Sequence, residues 1–260
     1  MGQKNSYMEF MNPIYLKLKH NGKSLYDTLT KPKVVKISIY ISLLTFLPGL
    51  ILGIIVAINF GPPPVYNLWF NWISDLGSLL YTPAPFILDL TCIISAIFII
   101  PLILNLSRLY SSHQNYKLDN SKKEHYIILF RRIFGYLGVT SLFIGVIGMF
   151  FVGIFNLDWS PFDLHLYFST SAFGGFAVGA FFTGLAIVLR KRIFPKTVGY
   201  FMIFGPSAAS IIFIICPAPL TRQFLEWILM FSSLAWYYVV VFITLQKLNT
   251  LLFFNPDFKW

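Results

Sequence analysis

The chain has 260 residues, of which 57% are hydrophobic and only 12% are charged. Soluble domains carry about a quarter charged residues, and here the apolar surplus is gathered into long runs, which excludes an ordinary soluble domain. The formal charge of +10 would suit nucleic acid, but its distribution along the chain follows membrane topology instead.

Residues 1–33 are basic and weakly periodic, and they read as a cytosolic tail lying partly on the membrane surface. The opening MGQKNS fits the loose myristoylation pattern through Gly2 and Ser6. The first apolar run begins only after about 35 residues, so no cleavable signal peptide is expected.

A helix needs about 20 apolar residues to cross a bilayer. Six runs meet this length, at 37–60, 85–108, 133–156, 166–189, 198–217 and 225–246. The predicted fold is therefore all-α, a six-helix membrane bundle over residues 34–252, with a short tail at 253–260. Pro48, Pro101 and Pro206 fall inside spans and predict kinks. Gly145, Gly148 and Gly153 in the third span, and Gly175 and Gly179 in the fourth, predict close packing of that pair. Cys92 and Cys216 lie in apolar runs without metal-site spacing and read as small buried hydrophobes.

Six spans put both termini on one side. Nineteen of the 20 Lys and Arg residues fall in the tails and in the loops after spans two and four, and Arg222 alone falls on the other face. An excess of Lys and Arg marks the cytoplasmic side, so the termini are expected in the cytosol. The same charge would attract anionic lipid.

Five acids, Asp75, Asp89, Asp158, Asp163 and Glu226, fall on the opposite, outer face. Residues 65–81 show apolar and polar stripes at three- and four-residue steps, which predicts an amphipathic helix in the outer interface with Ser74 and Asp75 on its polar side. Asp89 lies about 6 Å below the mouth of the second span, where an acid is costly unless it faces water or a partner. It could equally be a first-turn acid favoured by the helix dipole. The short turn between spans three and four brings Asp158, Asp163 and His165 to one spot. Arg222 and Glu226 have the spacing of an i,i+4 ion pair.

Carboxylates with one imidazole can serve as general acid and base, can hold a lipid head group, or can bind a divalent cation. The candidate catalytic set is Asp75, Asp89, Asp158 and His165, with Ser74, Arg222 and Glu226 as ligand-binding residues. A divalent cation at the acidic cluster is the one cofactor the cluster suggests. HExxH, GxSxG and glycine-rich nucleotide loops are absent from the sequence.

WISDLGS at 72–78 with a proline soon after, and VGIFNLD at 152–158 followed by His165 and a Gly- and Phe-rich span, carry a family resemblance. Together they resemble the six-span family of the damage-regulated autophagy modulator, DRAM, and its bacterial and archaeal relatives. Relatives often show FPxD where this chain has Phe155-Asn156-Leu157-Asp158. The resemblance implies a six-helix bundle with a polar outer or lumenal site that handles lipid. By motif it transfers Ser74, Asp75, Gly77, Asp158 and His165.

The leading expectation is an outer site that binds or modifies membrane lipid. Two others stand beside it. One is a proton- or cation-coupled carrier using Asp89. The other is a non-catalytic scaffold acting through Lys117, Lys122, Lys123, Arg131 and Arg132.

Overall fold

The computed structural model describes residues 20–111, 122–189 and 194–253. Most of the loop carrying Lys117, and with it one part of the scaffold expectation, lies outside the described residues.

Six apolar helices, each long enough to span a bilayer, form the fold. They are α1 (Pro32–Phe60), α2 (Phe86–Ser111), α3 (Lys122–Ile154), α4 (Leu164–Val188), α5 (Lys196–Ile215) and α6 (Arg222–Phe253). The chain is an integral membrane protein of six helical spans, and strands are absent among the described residues.

The spans agree with the hydropathy runs to within a few residues at most ends. Two overrun them. α3 begins at Lys122 and α6 runs to Phe253, because helical hydrogen bonding continues beyond the apolar runs through the polar residues that flank them. Residues 20–29, read as an irregular tail, are helical and lead into Pro32 in the first turn of α1.

Pro48, Pro101 and Pro206 all lie inside helices, as their sequence positions require. α3 and α4 approach closely through glycine. A Cβ on Gly148 would stand 2.6 Å from the backbone nitrogen of Ala172, and one on Gly179 would stand 2.6 Å from the Leu142 side chain. Only small residues permit that approach. Cys92 and Cys216 are free, and Cys92 is buried.

The loops at 61–85, 155–163 and 216–221 gather at one end of the bundle, called the site end here. The opposite end is sealed by aliphatic packing. Val35 and Ile39 of α1, Leu102 of α2, and Val241 and Leu248 of α6 form a cluster with each residue no more than 5% exposed.

Candidate functional site

Residues 65–81 form a compact loop and not the continuous helix their periodicity predicts. The only helical part is a 3₁₀ turn, Ile73–Gly77. Asparagine side chains account for the difference. Asn67 Oδ1 accepts the N–H groups of Trp69 and Phe70 at 3.1 and 3.0 Å, and Asn71 Oδ1 accepts the N–H of Asn67 at 3.0 Å. Such local bonds compete with the i→i−4 ladder and close turns instead.

The loop is anchored to α6 and to the turn between α3 and α4. Glu226 of α6 accepts the Ile73 N–H at 2.8 Å, and Trp227 donates its indole N–H to the Asn71 carbonyl at 3.2 Å. Thr221 donates its hydroxyl to the Trp69 carbonyl. From the α3–α4 turn, Asp158 accepts the Ser78 hydroxyl at 2.7 Å and the Leu79 N–H at 2.8 Å. Asp89 of α2 accepts an N–H of the Asn156 side chain at 2.9 Å. Asp89 is also wedged between glycines. A Cβ on Gly77 would lie 2.9 Å from its Oδ1, and one on Gly153 would lie 2.5 Å from its backbone oxygen.

A cavity of about 1040 Å³ opens beside the loop, between α4, α5 and α6. Its polar lining comes from Ser74 and Asp75 on the loop, Asp163 and His165 around the start of α4, and Arg222 and Glu226 on α6. Its rim carries Leu80, Leu166 and Ile214, which are 68–74% exposed. A second, mostly apolar cavity of about 140 Å³ runs inward among α1, α2, α3, α4 and α6. Ser74, Ser169, Phe173 and Glu226 line both cavities, and this shared lining is called the neck here. The inner cavity ends near Ile99 and Tyr238. Beyond it Leu102, Ile103, Val240 and Val241 pack at 1–2% exposure.

The sequence-predicted residues therefore divide. Ser74, Asp75, His165, Arg222 and Glu226 share the larger cavity, and Asp163 stands at its edge. Asp89 and Asp158 do not line either cavity; the Asp158 carboxylate holds the loop to the turn at 155–158, and the Asp89 carboxylate holds α2 to the same turn. Arg222 and Glu226 form no ion pair despite their spacing, because Glu226 turns to the loop backbone.

Asp75 is 4% exposed, and its Oδ2 accepts both the Asn71 side-chain N–H at 3.1 Å and the Trp72 N–H at 2.9 Å. Burial, the largest influence, raises the Asp75 carboxyl above its ordinary value, while those hydrogen bonds and nearby His165 oppose the rise. His165 Nδ1 lies 2.7 Å from the Phe155 carbonyl. A carbonyl only accepts, so Nδ1 carries the proton in that bond. The other ring nitrogen, Nε2, is buried without a partner. The ring is thus fixed by a hydrogen bond at one nitrogen and has none at the other.

Ser169 was absent from the sequence expectations because a serine inside an apolar span carries no pattern of its own. Its place one turn after His165 was the available signal. Among the described residues no three His, Cys, Asp or Glu side chains gather in a way that could hold a metal ion.

The fold and site define a six-span helical membrane protein with a polar vestibule at one end and a mostly apolar inner cavity beside it. No protein-family model, no curated protein and no solved structure matches the chain.

Proposed function

We propose that the protein binds a zwitterionic membrane lipid, with the head group in the vestibule and the chains toward the bilayer. The observation that carries this reading is a charged vestibule set against a mostly apolar inner cavity, with Ser74, Ser169, Phe173 and Glu226 lining both. Arg222 offers a phosphate partner, and Asp75 and Glu226 offer acceptors for an amine. Each carboxylate keeps one oxygen without a hydrogen bond, Oδ1 of Asp75 and Oε1 of Glu226. The exposed apolar rim gives chains a route into surrounding lipid.

By the distribution of Lys and Arg, the site end faces away from the cytosol and both termini face into it. A lipid-handling role also agrees with the resemblance of WISDLGS and VGIFNLD to the DRAM family. A carrier is the weaker reading, since a transported ion would have to pass the packed layer of Leu102, Ile103, Val240 and Val241.

Native mass spectrometry of the purified protein with phosphatidylethanolamine tests the proposal. The wild type should retain lipid, and Arg222→Ala and Glu226→Gln should each retain it at least about tenfold less well, the loss expected of one charge-assisted hydrogen bond. Equal retention by all three proteins would contradict it.

A further inference from the structure

Membrane helices commonly occupy a hydroxyl by bonding it to the carbonyl one turn back. Ser141, Ser171, Thr183 and Ser210 do so, at 2.6–2.9 Å from the carbonyl four residues earlier. Ser78 is likewise taken by Asp158, and Ser42 by the Ile39 carbonyl and Tyr237. Ser74 and Ser169 are different. Like Thr170 and Ser233, neither makes a side-chain hydrogen bond, and of these four only Ser74 and Ser169 line both cavities. Their oxygens are not sealed from the cavities, unlike His165 Nε2 one turn away from Ser169. The lining common to vestibule and inner cavity thus carries two hydroxyls that no acceptor in the protein engages.

We propose that this neck is a binding subsite for the carbonyl oxygen of an acyl ester, with the Ser74 and Ser169 hydroxyls as donors. A carbonyl only accepts, so it complements two uncommitted hydroxyls. The inference rests on the lipid reading above, in which a head group held by Arg222 and Glu226 leaves the first acyl linkage beside the neck. The inner cavity, at about 140 Å³, then takes a few atoms next to the linkage. That volume resembles cavities that hold a benzene-sized group, and it is too small for a full chain.

The test compares two phosphatidylethanolamines of identical chain length, one diester and one diether, since the ether lacks the carbonyl. Each competes with a fluorescent phosphatidylethanolamine for the full chain in detergent micelles. The diester should bind several-fold to about tenfold more tightly, as one or two neutral hydrogen bonds would give. Ser74→Ala and Ser169→Ala should each weaken the diester toward the diether and leave diether affinity unchanged. One substitution lies in a loop and the other in a helix, so loss of folding in either leaves the other informative. Ser171→Ala, whose hydroxyl is already bonded to Tyr167, should keep the full preference. Equal affinity of the wild type for both lipids would overturn the subsite and leave the head-group reading standing. Binding of neither lipid would overturn both. Loss of the preference in Ser171→Ala would also overturn the assignment to the neck.

Discussion

Glu226 accepts the backbone N–H of Ile73 at 2.8 Å, tying α6 to a loop 153 residues earlier. The carboxylate is 8% exposed, and it lines both the vestibule and the inner cavity. One side chain therefore positions the loop and faces the vestibule. These roles separate by substitution. Glu226→Gln keeps an acceptor for Ile73 and should fold normally while retaining less lipid. Glu226→Ala leaves a backbone donor unmatched and should cost about 1–3 kcal/mol. Thermal unfolding in detergent beside lipid retention checks both, and equal stability of the two variants would contradict the assignment.

Asp158 anchors Ser78 and Leu79 from outside the vestibule. Its loss should loosen the loop without removing a ligand contact. Asp158→Ala is expected to destabilise by about 1–2 kcal/mol, the scale of one or two partly exposed hydrogen bonds. Lipid affinity measured well below the unfolding temperature should fall less than in Arg222→Ala. A variant of full stability with abolished binding would place Asp158 among the ligand contacts instead.

Burial raises the Asp75 carboxyl above its ordinary value of 3.8. The folded state therefore holds this proton more tightly than the unfolded chain. The associated stability is fully present below the unfolded value and is lost as pH rises through the folded one. Asp75→Asn removes that component while keeping an oxygen that can accept from Trp72. Melting temperatures measured from about pH 3.5 upward should show the wild type losing ground to the variant across the window just above 3.8. Parallel profiles would show that Asp75 does not titrate on unfolding.

The α3–α4 seam leaves no space beside Gly148, where an added Cβ would meet Ala172 and Phe168 backbone atoms at 2.6–2.8 Å. Gly148→Val should overpack the seam by about 1–3 kcal/mol or more and shift the turn that carries Asp158 and His165. Gly174, which has nothing within 4 Å of an added Cβ, is the control. Gly174→Ala should match the wild type in monodisperse yield, and similar losses in both variants would contradict the seam.

Much of this arrangement was legible in the sequence because length and hydropathy suffice to place a membrane span. Pro48, Pro101 and Pro206 sit within helices as read, and the glycine pattern marked the α3–α4 contact. Asp75, His165, Arg222 and Glu226 could be grouped because three loops must meet at one end of a six-span bundle. The conformation of residues 65–81 was not legible. Its stripes fit a helix, and only the side-chain bonds of Asn67 and Asn71 decide for turns. Asp89 and Asp158 were grouped with the site by level in the membrane. Periodicity does not say that both carboxylates turn to Asn156 and to Ser78, away from the cavity. The neck escaped notice for a related reason, since which serine hydroxyls are taken by their own helix is a matter of rotamer.

The most direct test is an experimental map of the full chain in nanodiscs containing phosphatidylethanolamine. The account predicts head-group density in the vestibule, with phosphate within about 4 Å of Arg222, the distance of an ion pair, and the amine beside Glu226. A vestibule holding only solvent, with lipid confined to the outer faces of the helices, would contradict it.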